Sequence, residues 1–157
     1  MVSQSYRIPK SIDAQVAEIK TRVSESWLSE PDADGNFPTN GDRFVAQELT
    51  KRRDSLTFTR KGFLCQILAV GWHKKSNAQL QEIADKVGRD RIQVVHGTID
   101  NLISFPHMEV LLNGLGGGEG EITRVVFDGR GHYLPLEERK KFKKVIGDMV
   151  DKAEGLI

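Results

Sequence analysis

Only two stretches of this chain read as β-strands, Arg91–His96 and Ile122–Phe127. Each is a short run rich in β-branched residues, and each is followed within a few residues by glycine, at Gly97 and at Gly129. A helical segment, Ser104 to Leu112, lies between them. Two strands joined by a helical crossover run parallel, and the crossover is expected to be right-handed. A parallel sheet is normally covered on both faces and has more than two strands. Nothing in the first 75 residues reads as a further strand. The expectation is therefore an α/β chain with an incomplete core: helices first, then an α-β-α-β-α segment over 77–157 with short parallel strands.

The helical half follows from spacing. Ile12, Val16, Ile19, Val23 and Trp27 recur every three or four residues and predict one helix over about 11–29, with Ser11 as its N-cap. The stretch SEPDADGNFPTNGD is full of turn residues and reads as a loop. A second helix is expected over 41–53, with Phe44, Val45 and Leu49 inward. A third, over about 60–72, is apolar on much of its circumference and is expected to be buried. Ser76 and Gln79 have the spacing of a capping box before Leu80, Ile83, Ala84 and Val87, and Gly88 suits the end of that helix. A final helix is expected from Leu136 to about Asp151. The chain changes character near Ser76, which divides it into 1–75 and 76–157.

Composition narrows the function classes. Lys plus Arg is 23 and Asp plus Glu is 22, a net charge of +1 over 157 residues. That balance carries no electrostatic footprint for nucleic acid. The basic run Arg139, Lys140, Lys141, Lys143 and Lys144 reads as a solvated helix face. The longest apolar run, Phe63 to Trp72, is interrupted by Gln66 and is too short for a membrane span of about 20 residues. MVSQSYRIPK has no apolar signal core, so the expectation is a cytoplasmic protein. One cysteine, Cys65, excludes an internal disulfide and reads as packing on an apolar helix.

Two segments carry the residues with chemistry. Val94-Val95-His96-Gly97-Thr98-Ile99-Asp100 is a strand, a glycine turn and a carboxylate. Val125-Val126-Phe127-Asp128-Gly129-Arg130-Gly131-His132 is a strand, a glycine-rich loop and a histidine before a helix. Loops at the carboxyl ends of parallel strands line the ligand crevice of α/β sheets. Asp100 and His132 would both emerge there, and a carboxylate on one imidazole nitrogen frees the other as a general base. Taken singly, Asp100 also reads as a turn residue and His132 as a residue at a helix start. His96 reads as packing or a loop anchor, His73 as a helix-end residue, and His107 lies in the first turn of a helix. The four histidines lack zinc-motif spacing, so no metal is expected. Asp32, Asp34 and Asn36 alternate like the start of a calcium loop, but Phe37 and Arg43 stand at its sixth and twelfth positions, so this reads as a turn. The glycines of 114–120 lack a phosphate-loop pattern and read as a flexible loop.

HGTID and GRGHYLPLEE together resemble the C-terminal part of the α/β-hydrolase superfamily, over about 91–155. The resemblance implies that Asp100 is the triad acid and His132 the base, with 1–75 a helical cap and 76–157 the end of the core. It implies a serine-type hydrolase of ester or related acyl substrates, with no cofactor. The departure is as informative. The nucleophile of that family sits in G-x-S-x-G, and none of the serines here has glycine two residues before and after. The expected function is thus the C-terminal part of such an enzyme, inactive alone. Its expected partners are a small apolar ester-like substrate, and a missing N-terminal half or a second copy. The alternative is a non-catalytic module that binds a partner chain. Trp27, Phe44, Phe63 and Trp72 on the cap-like helices are the candidate substrate-pocket residues, and read equally as core.

Overall fold

The computed structural model describes residues 11–54, 59–117 and 122–155. Residues 118–121, which include the end of the glycine stretch read from sequence as a flexible loop, and the N-terminal residues through Pro9 and Lys10 lie outside them. The chain divides into two compact units, Met1–Gln66 and Ile67–Ile157. The division falls inside a helix, α4 (Arg60–Trp72), ahead of the change in sequence character near Ser76.

The first unit contains α1 (Ile12–Lys20), α2 (Glu25–Ser29) and α3 (Asn40–Arg53). Ser11 caps α1 by accepting from the Ala14 N–H at 3.2 Å. The single helix expected over 11–29 is two helices, because Ser24 opens a new one: its hydroxyl accepts from the Trp27 N–H. A short polar side chain offers the backbone a local partner and so competes with helix continuation. The apolar spacing survives the break, and Ile19, Val23 and Trp27 are all buried. Trp27 meets the buried Phe44 of α3 edge-on, centroids 5.9 Å apart. Glu18 of α1 pairs with Arg22 and, at 2.8 Å, with Arg52 of α3.

The segment before α3 is a closed turn, not a calcium loop. Pro31 and Thr39 form an antiparallel bridge. Between them Asp32 accepts from the N–H groups of Asn36 (3.0 Å) and Phe37 (3.2 Å) and pairs with Arg43 at 2.7 Å. Burial works to raise the Asp32 carboxyl, but these backbone donors and Arg43 hold it below the ordinary carboxylate range. Thr39 then caps α3 through the Asp42 N–H.

The expected burial of the third helix is not found. In α4, Leu64, Leu68, Val70 and Trp72 are exposed, Trp72 at 87%, and Cys65 is exposed as well. Apolar composition states what a helix is able to bury; a facing surface must be present to bury it.

The second unit is mixed α/β. It runs α5 (Asn77–Val87), a 3-10 turn at Arg89–Arg91, β1 (Gln93–Gly97), α6 (Pro106–Gly114), β2 (Thr123–Phe127), α7 (Leu134–Glu137) and α8 (Arg139–Glu154). The capping box is present: Ser76 accepts from the Gln79 N–H while the Gln79 side chain accepts from the Ser76 N–H. The two strands pair in parallel, from Gln93 opposite Thr123 to Gly97 opposite Phe127. They are the only strands of that sheet among the described residues. Ala84 of α5, Val94 of β1, Met108 of α6, Leu115 and Ile122 form the buried cluster. Phe127 is buried as well and faces Phe142 of α8.

The final helix expected from 136 is two, α7 and α8, broken at Glu138 with φ −135° and ψ 47°. The cause is tertiary. The Glu138 carboxylate pairs with Arg130 at 2.7 Å and the buried Glu137 carboxylate accepts from the Gly131 N–H, so both are drawn to the loop after β2. The basic residues 139–141, 143 and 144 are exposed, as expected of a solvated face. Among the described residues no helix is long and apolar enough to cross a membrane.

Candidate active site

Asp100 and His132 stand 32 positions apart in the chain and meet in the structure. Each follows the carboxyl end of its strand by a few residues, and the parallel register that sets Gly97 beside Phe127 brings the two loops together. The loops are joined by backbone bonds, Thr98 N–H to Phe127 carbonyl at 3.1 Å and Ile99 N–H to Arg130 carbonyl at 3.1 Å. Gly97 is needed for that approach. A Cβ there would press on the Arg130 carbonyl oxygen and lie 2.5 Å from that of Gly131.

His132 Nδ1 lies 2.9 Å from Asp100 Oδ2. The other carboxylate oxygen accepts from the N–H groups of Leu102 (2.8 Å) and Ile103 (3.0 Å). The Asp100 side chain is only 6% exposed. Burial alone would raise its carboxyl; the Ile103 N–H, the His132 ring and the Leu102 N–H outweigh burial and hold it below the ordinary range. Asp100 is therefore an anion and accepts only. Nδ1 of His132 must carry a proton, and in the neutral imidazole that leaves the lone pair on Nε2. With its side chain 34% exposed, His132 is open to solvent. A fixed tautomer, a buried counter-charge and an accessible nitrogen are the requirements of a general base.

The pair borders a cavity of about 300 Å³. Val94, Ile103, Met108, Leu111 and Leu134 give it apolar walls, and His96 and His107 share its lining with His132. Sequence reasoning missed the last two as cavity residues. His96 donates from Nδ1 to the Gly97 carbonyl at 2.8 Å and packs edge-on against Phe105, so it is also the loop anchor that its place at a strand end suggests. Its Nε2 is 4.0 Å from Asp100 Oδ2, beyond hydrogen-bond reach. His107 is tied to Ser104 through Nδ1, at 2.8 Å from the hydroxyl.

Of the four aromatic residues expected to line a substrate pocket, Trp72 belongs to the second unit and is not in this lining. Trp27 and Phe44 pack on each other in the first unit, Phe63 is half-buried on α4, and Trp72 is almost fully exposed. Among the described residues no group of three or more histidine, cysteine, aspartate or glutamate side chains could hold a metal ion. No family model, no curated protein and no solved structure matches the chain.

Proposed function

We propose that this chain supplies the acid and the base of a serine-type α/β hydrolase acting on an ester or related acyl substrate. Asp100 is the acid and His132 the base. The observation that carries the reading is the 2.9 Å bond from His132 Nδ1 to the buried Asp100 carboxylate, beside an apolar-walled cavity at the carboxyl ends of two parallel strands. In the reaction, Nε2 of His132 takes the proton of a hydroxyl nucleophile and returns it to the leaving group, while Asp100 stabilises the imidazolium. No G-x-S-x-G in this sequence supplies that hydroxyl, so the nucleophile comes from another segment or chain. The apolar walls suit a small apolar substrate, and the chemistry calls for no cofactor.

Two reactions on the pure protein test this. A fluorophosphonate probe should leave it unlabelled; stoichiometric labelling contradicts the external nucleophile. Imidazole attacks p-nitrophenyl acetate without any serine, so His132→Ala should slow its turnover far more than His73→Ala does. Equal rates in the two variants refute His132 as the base.

A second reading draws on the exposed apolar side chains of α4: a non-catalytic module that binds a partner chain through them. It predicts the same esterase rate in parent and His132→Ala, together with binding of an apolar dye that Leu64→Ser and Leu68→Ser abolish.

A further inference from the structure

We propose that Thr98 is the positioning residue for His132, through a hydroxyl that clasps the two loops after the strands. Thr98 Oγ1 donates to Asp128 Oδ1 at 3.0 Å and accepts from the Gly129 N–H at 2.8 Å. A hydroxyl is suited to this place because it accepts and donates from one atom. Asp128 and Gly129 are the first two residues after β2, and Gly129 turns the chain with φ of 66°. The loop that carries His132 is therefore held at its start by Thr98 and at Gly131 by the buried Glu137, which accepts from its N–H at 3.0 Å. Thr98 itself is two residues from Asp100. One side chain thus ties the strand end that carries the carboxylate to the turn that carries the imidazole.

The Thr98 hydroxyl bonds go to Asp128 and Gly129, and its role is geometric. Backbone bonds on both sides, at Thr98 N and Ile99 N, keep the strands paired when the hydroxyl is removed. What it adds is the orientation of the turn at Asp128 and Gly129, and so the distance over which His132 reaches Asp100. The inference goes beyond the proposed hydrolase reading and does not depend on it, since the clasp orients the pair whatever the pair acts on.

The test is NMR on the full chain, following the far-downfield Nδ1–H resonance that a histidine donating to a carboxylate shows. Thr98→Val keeps the shape and removes both bonds. Its Nδ1–H should exchange with water faster by about 5- to 30-fold, the ratio set by two net hydrogen bonds in the lower half of their usual range. Thr98→Ser restores the hydroxyl and should restore the parent exchange rate. Amide signals of β1 and β2 should be unchanged in both, which separates a loosened turn from a damaged sheet. Asp128→Ala removes one bond of the two and should give an intermediate rate, and it serves as the reading if Thr98→Val fails to fold. A parent exchange rate in Thr98→Val, or in Asp128→Ala where that variant is the reading, overturns the proposal; so does a Thr98→Ser variant that behaves as Thr98→Val. A Thr98→Val result as expected, with His132→Ala turning over p-nitrophenyl acetate as fast as His73→Ala, would leave the clasp standing and remove the hydrolase reading.

Discussion

Gly97→Ala puts one methyl group where the two loops touch, and its cost can be worked from distances. The new Cβ would lie 2.5 Å from the Gly131 carbonyl oxygen, while ordinary contact begins at 3.4 Å. The Arg130 carbonyl is in the way as well, and both obstacles are backbone, which no rotamer change relieves. The 130–131 backbone must therefore retreat by at least about 0.9 Å. His132 is the next residue, and a shift of that size carries a 2.9 Å bond beyond the hydrogen-bond limit. Overpacking a filled site costs about 1–3 kcal/mol. A hydrogen bond to a charged group is worth about 1.5–3 kcal/mol, reduced here because water reaches the imidazole. The sum is about 2–4 kcal/mol. Urea denaturation followed through the β1 and β2 amide signals measures it, and the His132 Nδ1–H resonance should vanish in the same sample. A variant within about 0.5 kcal/mol of the parent, with that resonance intact, would refute the close-approach argument.

Two further outcomes follow from the same physics. Asp100 is held below its ordinary value of 3.8 in the folded state, so it contributes stability that is present above that value and lost as pH falls through the lower, folded one. Asp100→Asn should therefore be least stable relative to the parent near neutrality, with the gap closing below about pH 4; a gap that stays constant down to about pH 2.5 contradicts the assignment. Trp27→Ala, at a site 3% exposed and packed on Phe44, should cost about 3–5 kcal/mol. Trp72→Ala, at 87% exposure, should change stability by less than about 0.5 kcal/mol in the same denaturation assay, and equal costs would contradict the burial of one and the exposure of the other.

Local signals were the legible ones. Ser11 and the Ser76–Gln79 box act through bonds spanning three residues, so the sequence contains both partners. The strands were found within two residues because β-branched runs ending at glycine have few other readings. The breaks were not legible. Ser24 sits in an apolar periodicity that runs on unbroken, so nothing in that spacing shows that its hydroxyl opens a second helix. Glu138 leaves the helical path because Arg130 and the neighbouring Glu137–Gly131 bond hold it, partners six to eight residues away.

The candidate site divides in the same way. Asp100 and His132 could be named from strand–glycine–loop patterns, and their meeting could be anticipated from parallel pairing. That anticipation rested on chain order and residue type. The contributions of Thr98, His96 and His107 rested on neither, because each depends on which side chains face one another across loops 30 or so residues apart.

The sequence by itself determined the alternation of helix and strand in 77–157, the caps that start α1 and α5, and the two residues, Asp100 and His132, that we propose as acid and base. These follow from propensity and from hydrogen bonds between near neighbours, whose free energies do not depend on what else the chain encloses. The tertiary structure alone decided that α4 is exposed, that Trp27 and Phe44 pack on each other, and that His132 presents Nε2 with Nδ1 fixed on a buried anion. Burial, desolvation and tautomer are properties of the space around a side chain, and only the folded chain defines that space.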